Sequence, residues 1–164
     1  SRERLIPLPS KGWVRVDLAG LPHKLQYLAV DLLLRQLFWT IVLDGQAPQL
    51  RGAVVLDEAK LILVRSKNDP LAILNRLVSE GRKFGLMVLL AAQDLRHFSP
   101  DILDNVASKL VLMHAETAIR STASKLLLSE GSLLLLKKPF EGYLRKGGRG
   151  WEPVTVTPYF AREA

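Results

Sequence analysis

The chain has 164 residues, of which 48% are hydrophobic, and this length fits a single domain that can bury a core. Its formal net charge of +7 favours a polyanionic partner, nucleic acid first and a phosphate-bearing ligand second. It contains no cysteine, which excludes disulfides, thiolate zinc sites and thiol catalysis.

The first part of the chain predicts an irregular lead at residues 1–11, a strand and a long helix. Residues 13–18 alternate apolar and charged side chains, which is the period of an edge strand. Residues 23–43 predict a helix that is apolar nearly all round, so we expect it to be buried or to contact another subunit. Because Asp31 and Arg35 interrupt its apolar sequence, we expect no membrane span and a soluble, cytoplasmic protein.

Three apolar runs in the middle of the chain predict strands, at residues 53–57, 86–93 and 109–113. Four consecutive apolar residues at 53–56 favour a strand that is buried on both faces of a parallel sheet. Between these runs, Ser99 and Pro100 begin a short helix, and residues 117–128 form another.

A further helix begins at Asp69 and Pro70, an N-cap followed by a proline in the first turn. It runs to Lys83 or Phe84, where Gly85 ends it. Its predicted buried stripe consists of Leu71, Leu74, Leu77 and Val78.

Strands that alternate with helices predict an α/β fold with a mainly parallel sheet. Residues 143–145 and 154–156, on either side of the basic turn at 146–150, predict an antiparallel extension at the C-terminus. We therefore expect one domain over residues 1–164, with an α/β core at 12–136 and an antiparallel tail at 137–164.

Polar side chains stand at the carboxyl ends of two predicted strands. Asp57 and Glu58 follow the first of them, and Gln93 ends the second. In open α/β sheets this edge is where ligands bind, and two acids there suit holding a divalent cation and polarising a water. The alternative is a buried strand that ends in a solvated acidic turn.

Four short motifs occur in a fixed order: Asp57-Glu58, residues 79–85 (SEGRKFG), residues 91–93 (AAQ) and residues 99–106 (SPDILDNV). Together they resemble the second half of a RecA-like P-loop ATPase of the HerA/FtsK superfamily, which includes conjugative and type IV secretion ATPases and DNA translocases. The resemblance covers residues 50–115 well and the flanks loosely. It implies a RecA-like sheet flanked by helices.

The resemblance implies ATP and Mg²⁺ as ligands and assigns a role to each polar residue of the edge. Asp57 would hold Mg²⁺ through water, since carboxylate oxygens suit a hard cation. Glu58 would orient and deprotonate the attacking water, and Gln93 would be the sensor of the γ-phosphate.

Three basic residues receive roles from the same resemblance. Arg82 matches an arginine finger that reaches the nucleotide of a neighbouring subunit, and the alternative is a solvated residue near a helix C-terminus. Arg96 and His97 would touch DNA in a central pore, or would lie in an ordinary solvated loop.

One departure from the family pattern dominates, because the sequence contains no Walker A motif, the loop that cradles the phosphates. In RecA-like folds the Walker A strand lies between the sensor strand and the next one, here residues 86–93 and 109–113. The chain alone should leave a one-strand gap there, or the two strands should pair directly. We expect an N-terminal segment of the same protein, or another chain, to supply this loop.

The motifs favour part of a motor ATPase that forms a ring, expected to be a hexamer, and acts as a DNA translocase or helicase. This chain alone should be inactive without Walker A. The alternatives are a non-catalytic pseudo-ATPase module that binds nucleic acid or a partner, and an ATPase that drives protein secretion.

Overall fold

The computed structural model describes residues 11–69, 71–112 and 116–158. Residues 1–10 of the expected lead, the first-turn Pro70, and Met113 at the end of the predicted strand 109–113 lie outside this described part. In chain order the elements are α1 (His23–Leu43), β1 (Gly52–Leu56), α2 (Lys60–Asn68), α3 (Ile73–Glu80), β2 (Leu86–Leu90), α4 (Pro100–Asn105), β3 (Ser108–Leu112), α5 (Glu116–Leu126), α6 (Glu130–Leu134), β4 (Glu141–Lys146) and β5 (Trp151–Thr155).

The α/β class is confirmed, with one small parallel sheet, helices and an antiparallel C-terminal sheet. The chain divides into two compact units, the first formed by Ser1–Ala92 with His97–Ile102 and the second by Gln93–Arg96 with Leu103–Ala164. Each unit has its own sheet, and the single domain expected from chain length stays a prediction.

The sheet of the first unit consists of β1 and β2, which pair in parallel with Gly52 opposite Leu86 and Leu56 opposite Leu90. Two hydrogen bonds extend the pairing past the strand ends, from Ala91 N–H to the Leu56 carbonyl and from Ala59 N–H to the Ala91 carbonyl, both 2.9 Å. The expected order of strand, helix and strand is therefore present.

The expectation that these strands are buried on both faces is wrong. Burial alternates along both strands, and one face presents Val55, Met87 and Leu89 to solvent, 55%, 42% and 46% exposed. Val55 lies directly opposite Leu89, so their side chains share this face. The cause is that no other described element of the first unit covers that side of the sheet.

The core of the first unit is formed where α1 packs on α2 and α3. Phe38 of α1 is completely buried, as are Leu63 of α2 and Leu74 of α3. The guanidinium of Arg76 lies 4.7 Å from the centre of the Phe38 ring, a cation–π contact that closes the edge of this core. The predicted bounds of α1 are confirmed.

Only one face of α1 is buried, through Leu34, Phe38 and Ile41. Asp31 and Arg35, which interrupt its apolar sequence, form an ion pair of 2.6 Å between Oδ2 and Nε. Of the helices in the described part of the chain, α1 alone has the length and mean hydropathy of a membrane span, a test that core helices also pass. The expected absence of a span stays a prediction.

Two further expectations for the first unit are wrong. Residues 13–18 form no strand, because no described strand lies beside them to complete a hydrogen-bonded ladder. Leu71 is 78% exposed rather than buried, because α3 begins only at Ile73. Leu71 lies in the preceding turn, where its N–H donates to Asp69 Oδ1 at 2.9 Å.

The second unit has an antiparallel sheet in the order β3-β4-β5, and its hairpin confirms the predicted tail. β3 was expected in the parallel sheet, but it pairs antiparallel with β4 and lies in a different sheet from β2. Ile119, Ala123 and Leu133 form the core, with Val111 and Tyr143 packed against it from the sheet.

Candidate functional site

The two adjacent acids lie in a tight turn that begins as soon as β1 ends. Asp57 Oδ1 accepts a hydrogen bond of 2.9 Å from the N–H of Glu58, whose φ of +48° is in the left-handed region. Few residues other than glycine adopt this conformation, and those that do concentrate at functional sites. Both acidic side chains are exposed. Ala59 is buried and bonded to Ala91, so the turn is anchored to the sheet while its carboxylates face solvent.

Gln93 lies three residues beyond the end of β2. The chain is held to the β1 edge at Ala91, two residues earlier, and Gln93 itself begins the second unit. The structure therefore brings Asp57 and Glu58 together within one unit and assigns Gln93 to the other. Its sensor role stays a prediction.

Arg82 lies in a 3₁₀ turn, Gly81–Phe84, that follows α3 directly. Gly85 closes the turn with a φ of +74°, and its N–H donates to the Arg82 carbonyl at 3.1 Å. The Arg82 side chain is exposed and makes no hydrogen bond or ion pair with the part of the chain that the structure describes.

Arg82 and Asp57 lie at opposite ends of the parallel sheet. Arg82 precedes the amino end of β2, whereas Asp57 follows the carboxyl end of β1. Because the strands are parallel and in register, the full length of the sheet separates them. Five residues at about 3.3 Å each make this separation about 17 Å. Arg82 therefore lies beyond hydrogen-bonding reach of the acidic edge of its own chain.

Arg96 is engaged within its own loop. Its Nε donates to Asp94 Oδ2 at 2.7 Å, and its backbone N–H donates to Asp94 Oδ1 at the same distance. The hydrogen bond to Asp94 raises the pKa of Arg96. A guanidinium that already faces a carboxylate offers less charge to DNA, and the expected DNA contact of Arg96 and His97 stays a prediction.

Sequence reasoning missed two contacts that hold this loop. Asp94 is the partner of Arg96, and Lys125 Nζ of α5 donates to the Leu95 carbonyl at 2.8 Å. The Asp-x-Arg spacing was a readable signal for the first contact. Nothing in the sequence indicates the second, because 30 residues separate its partners.

The two carboxylates of the acidic edge can bind Mg²⁺ only together with oxygen atoms from a bound ligand. Among the described residues no group of three or more His, Asp or Glu could hold a metal ion. Mg²⁺ is usually bound by one or two carboxylates together with waters and substrate phosphates. Asp57 and Glu58 can supply the carboxylates, and the phosphate oxygens must come from a nucleotide.

Comparison with solved structures identifies the fold. The chain superposes on VirB4 of Thermoanaerobacter pseudethanolicus with a TM-score of 0.67 and 20% identity, over 88% of this chain and 40% of that one. The chain has a RecA-like ATPase fold. This confirms, at the level of fold, the resemblance carried by the sequence motifs.

The same RecA-like fold relates the chain to two other ATPases. The genome packaging NTPase B204 of Sulfolobus turreted icosahedral virus 2, solved with ATP-gammaS, matches with a TM-score of 0.59 and 14% identity, over 87% of this chain and 66% of that one. The cytoplasmic domain of the type VII secretion ATPase EccC of Thermomonospora curvata matches with a TM-score of 0.51 and 20% identity, over 75% of this chain and 14% of that one.

No family model matches the sequence, and no curated protein matches it either. The chain spans about 40% of the length of VirB4. The RecA-like fold is thus established by structural similarity.

Proposed function

We propose that this chain is the Walker B and sensor part of a ring-forming motor ATPase that hydrolyses ATP with Mg²⁺ and moves DNA. The observation that carries the proposal is the strained turn at Asp57 and Glu58, anchored at the carboxyl edge of a parallel sheet in a RecA-like fold. This edge is where α/β sheets bind ligands.

The acidic turn suits two separate tasks in phosphoryl transfer. Mg²⁺, when bound with ATP, neutralises charge that develops on the phosphate oxygens. Asp57 would hold this ion through water, and its orientation is fixed by the hydrogen bond to Glu58 N–H. Glu58 would accept the proton of the attacking water. Gln93 would donate its amide to the γ-phosphate.

Arg82 is proposed to act on the nucleotide of a neighbouring subunit. Its distance along the sheet from Asp57 argues against a role in its own site, and its guanidinium has no partner among the described residues. The turn that carries it is tied to the sheet, because the Gly85 carbonyl accepts from Arg51 N–H at 2.7 Å. Arginine fingers typically contribute on the order of 10³–10⁵ in rate.

The phosphate-binding loop is proposed to come from a segment outside these 164 residues or from another chain. The sequence contains no such loop, and β2 pairs only with β1 among the described strands. One edge of β2 is therefore available for the strand that carries this loop in RecA-like folds. Self-association in a ring, with six subunits, belongs to the same proposal.

The decisive experiment uses two variants of the complete protein, Glu58→Gln and Arg82→Ala, alone and mixed. Each alone should lose ATP hydrolysis by at least about 100-fold. An equal mixture should regain part of the wild-type rate, because some interfaces then pair an intact Glu58 with an intact Arg82. Glu152→Gln, which removes an exposed acid of β5, should keep the wild-type rate.

Three outcomes would count against parts of this proposal. Unchanged turnover in Glu58→Gln would sink the catalytic assignment. A mixture that stays inactive, with both variants still assembling, would show that Arg82 does not act in trans. Loss of activity in Glu152→Gln would show that the assay reads general instability.

The second candidate is a non-catalytic module that binds nucleic acid or a partner protein. The absence of a phosphate-binding loop from the sequence favours it for this chain alone. It predicts no change in oligomeric state or DNA affinity on addition of ATP. A motor that secretes protein instead of moving DNA is a further alternative, since EccC is a type VII secretion ATPase whereas B204 is a genome packaging NTPase. The net charge of +7 favours DNA.

A further inference from the structure

The second unit places two cations side by side on the inner face of its sheet. Lys109 of β3 lies directly opposite Arg145 of β4. Two residues further along the same face, Val111 lies opposite Tyr143, and these two pack against the core. Like charges directly opposite each other on neighbouring strands destabilise a sheet. An apolar pair at these positions would stabilise the sheet more, so the two cations indicate a role other than folding.

Both cations line one pocket, with a volume of ≈ 450 Å³. Its remaining walls are formed by Asp104, Val106 and Ala107, and by the turn residues Gly147 and Gly148. Asp104 offsets part of the positive charge, but it forms no ion pair with either cation within the described chain. The pocket therefore keeps a surplus of positive charge.

Each cation uses only part of its hydrogen-bonding capacity inside the protein. Lys109 Nζ donates to the Val106 carbonyl at 2.9 Å, and Arg145 Nε donates to the Arg149 carbonyl at 3.1 Å. An ammonium has three donors and a guanidinium five, so several remain. These two bonds fix both side chains, and the terminal nitrogens of Arg145 have no partner among the described residues.

The surroundings of Lys109, including the neighbouring Arg145, disfavour the charged form of the lysine. Partial burial, and then the charge of Arg145, lower the pKa of Lys109 below its ordinary value. A bound anion between the two cations would offset their repulsion and favour the charged form of the lysine.

We propose that Lys109 and Arg145, with the glycine turn, form a binding site for a phosphate group. A guanidinium fork and an ammonium are the usual donors to phosphate oxygens. The turn adds positive φ values of +52° at Gly147 and +80° at Gly148, which let the backbone approach a ligand closely. Lys146 and Arg149 of the same hairpin are also exposed and add to its positive charge. The group is a phosphodiester of a nucleic acid or a free phosphate.

This site goes beyond the ATPase function, because all its residues belong to the second unit and none needs a nucleotide. Its test uses the full chain without ATP, so that its failure and the failure of the hydrolysis proposal are distinguishable. The variants are Arg145→Gln and Lys109→Gln. Lys138→Gln is the control, since it removes the same charge from an exposed position of the same unit outside the pocket.

The first measurement is fluorescence anisotropy of a labelled single-stranded oligonucleotide over a series of salt concentrations. Arg145→Gln should weaken binding about tenfold and reduce the slope of log K against log salt by about 0.7, the value for one lost phosphate contact. Lys138→Gln should change the Kd less than about twofold. Equal effects of Arg145→Gln and Lys138→Gln would overturn the site in favour of diffuse attraction.

The second measurement is an NMR titration with inorganic phosphate, which follows the amide signals of Gly147 and Gly148. Saturable shifts that disappear in Arg145→Gln support the site. Shifts together with the oligonucleotide effect identify a nucleic-acid backbone as the source, and shifts alone identify free phosphate. Absence of both effects overturns the proposal. Circular dichroism checks that each variant is folded. If Arg145→Gln is unfolded, the same two measurements on Lys109→Gln test the site instead.

Discussion

Replacing Gly85 by alanine tests how the turn that carries Arg82 is joined to the sheet. Gly85 has a φ of +74°, and a Cβ added there would lie 2.3 Å from the Gln49 carbonyl oxygen. This oxygen belongs to the backbone and can yield only by moving the segment before β1. That movement would break the 2.7 Å hydrogen bond from Arg51 N–H to the Gly85 carbonyl.

The expected loss of stability has three parts. The left-handed conformation costs a residue with a Cβ about 1 kcal/mol. The lost hydrogen bond costs about 1 kcal/mol, and relief of the overlap costs at least about 1 kcal/mol more. The free energy of unfolding of Gly85→Ala should therefore fall by about 3 kcal/mol.

Gly45 offers a matched control, because its φ is +79° but no atom lies within 4 Å of an added Cβ. Gly45→Ala should lose only the conformational part, about 1 kcal/mol. Urea unfolding followed by far-UV circular dichroism measures both variants. The reasoning is refuted if the two losses agree within about 0.5 kcal/mol, the usual scatter for such comparisons.

Three further predictions use the same unfolding assay. Leu74→Ala should lower the free energy of unfolding by about 3 kcal/mol, because its side chain is fully buried. Leu71→Ala, in the exposed turn, should lower it by less than about 0.5 kcal/mol. Equal losses would contradict the observed start of α3. Trp151→Phe should cost about 1 kcal/mol, since it removes the hydrogen bond from Nε1 to the Leu126 carbonyl, and no loss would refute a role for that bond. Burial lowers the pKa of Lys109, so the unfolded chain binds more protons and stability should rise with pH between the lowered and the ordinary pKa. Lys109→Met should show a smaller rise in the pH range just below the ordinary lysine pKa of about 10.4, and an identical rise would refute the assignment.

Local patterns predicted several features of the first unit correctly. The apolar sequence of 23–43 predicted the bounds of α1. Gly85 ends the helical segment that α3 and the 3₁₀ turn form together, as expected, although α3 itself ends at Glu80. Both depend on short-range physics, namely helical periodicity and the left-handed conformation that glycine permits. The Asp57-Glu58 turn was also expected at the end of its strand, because an apolar run that meets two charges can hardly continue.

The errors arose where the outcome depends on distant residues. A strand at 13–18 requires a neighbouring strand, and burial of Val55 requires a layer over its face, and neither is provided by the described residues. β3 was assigned to the parallel sheet because an apolar run carries no information about its partner. The pairing of Lys109 with Arg145 was missed for the same reason, since strand register is a property of the fold.

A molecule that covered the exposed face of the first sheet would make the stability of this unit depend on that molecule's concentration. Val55, Met87 and Leu89 remain in water in the folded chain, so a molecule that covers them binds the native state and not the unfolded one. Its stabilisation is RT ln(1 + [L]/Kd), which is about 2.7 kcal/mol at a hundredfold excess over Kd. Melting temperatures of this chain should therefore be compared only at the same protein concentration and with the same binding partners present.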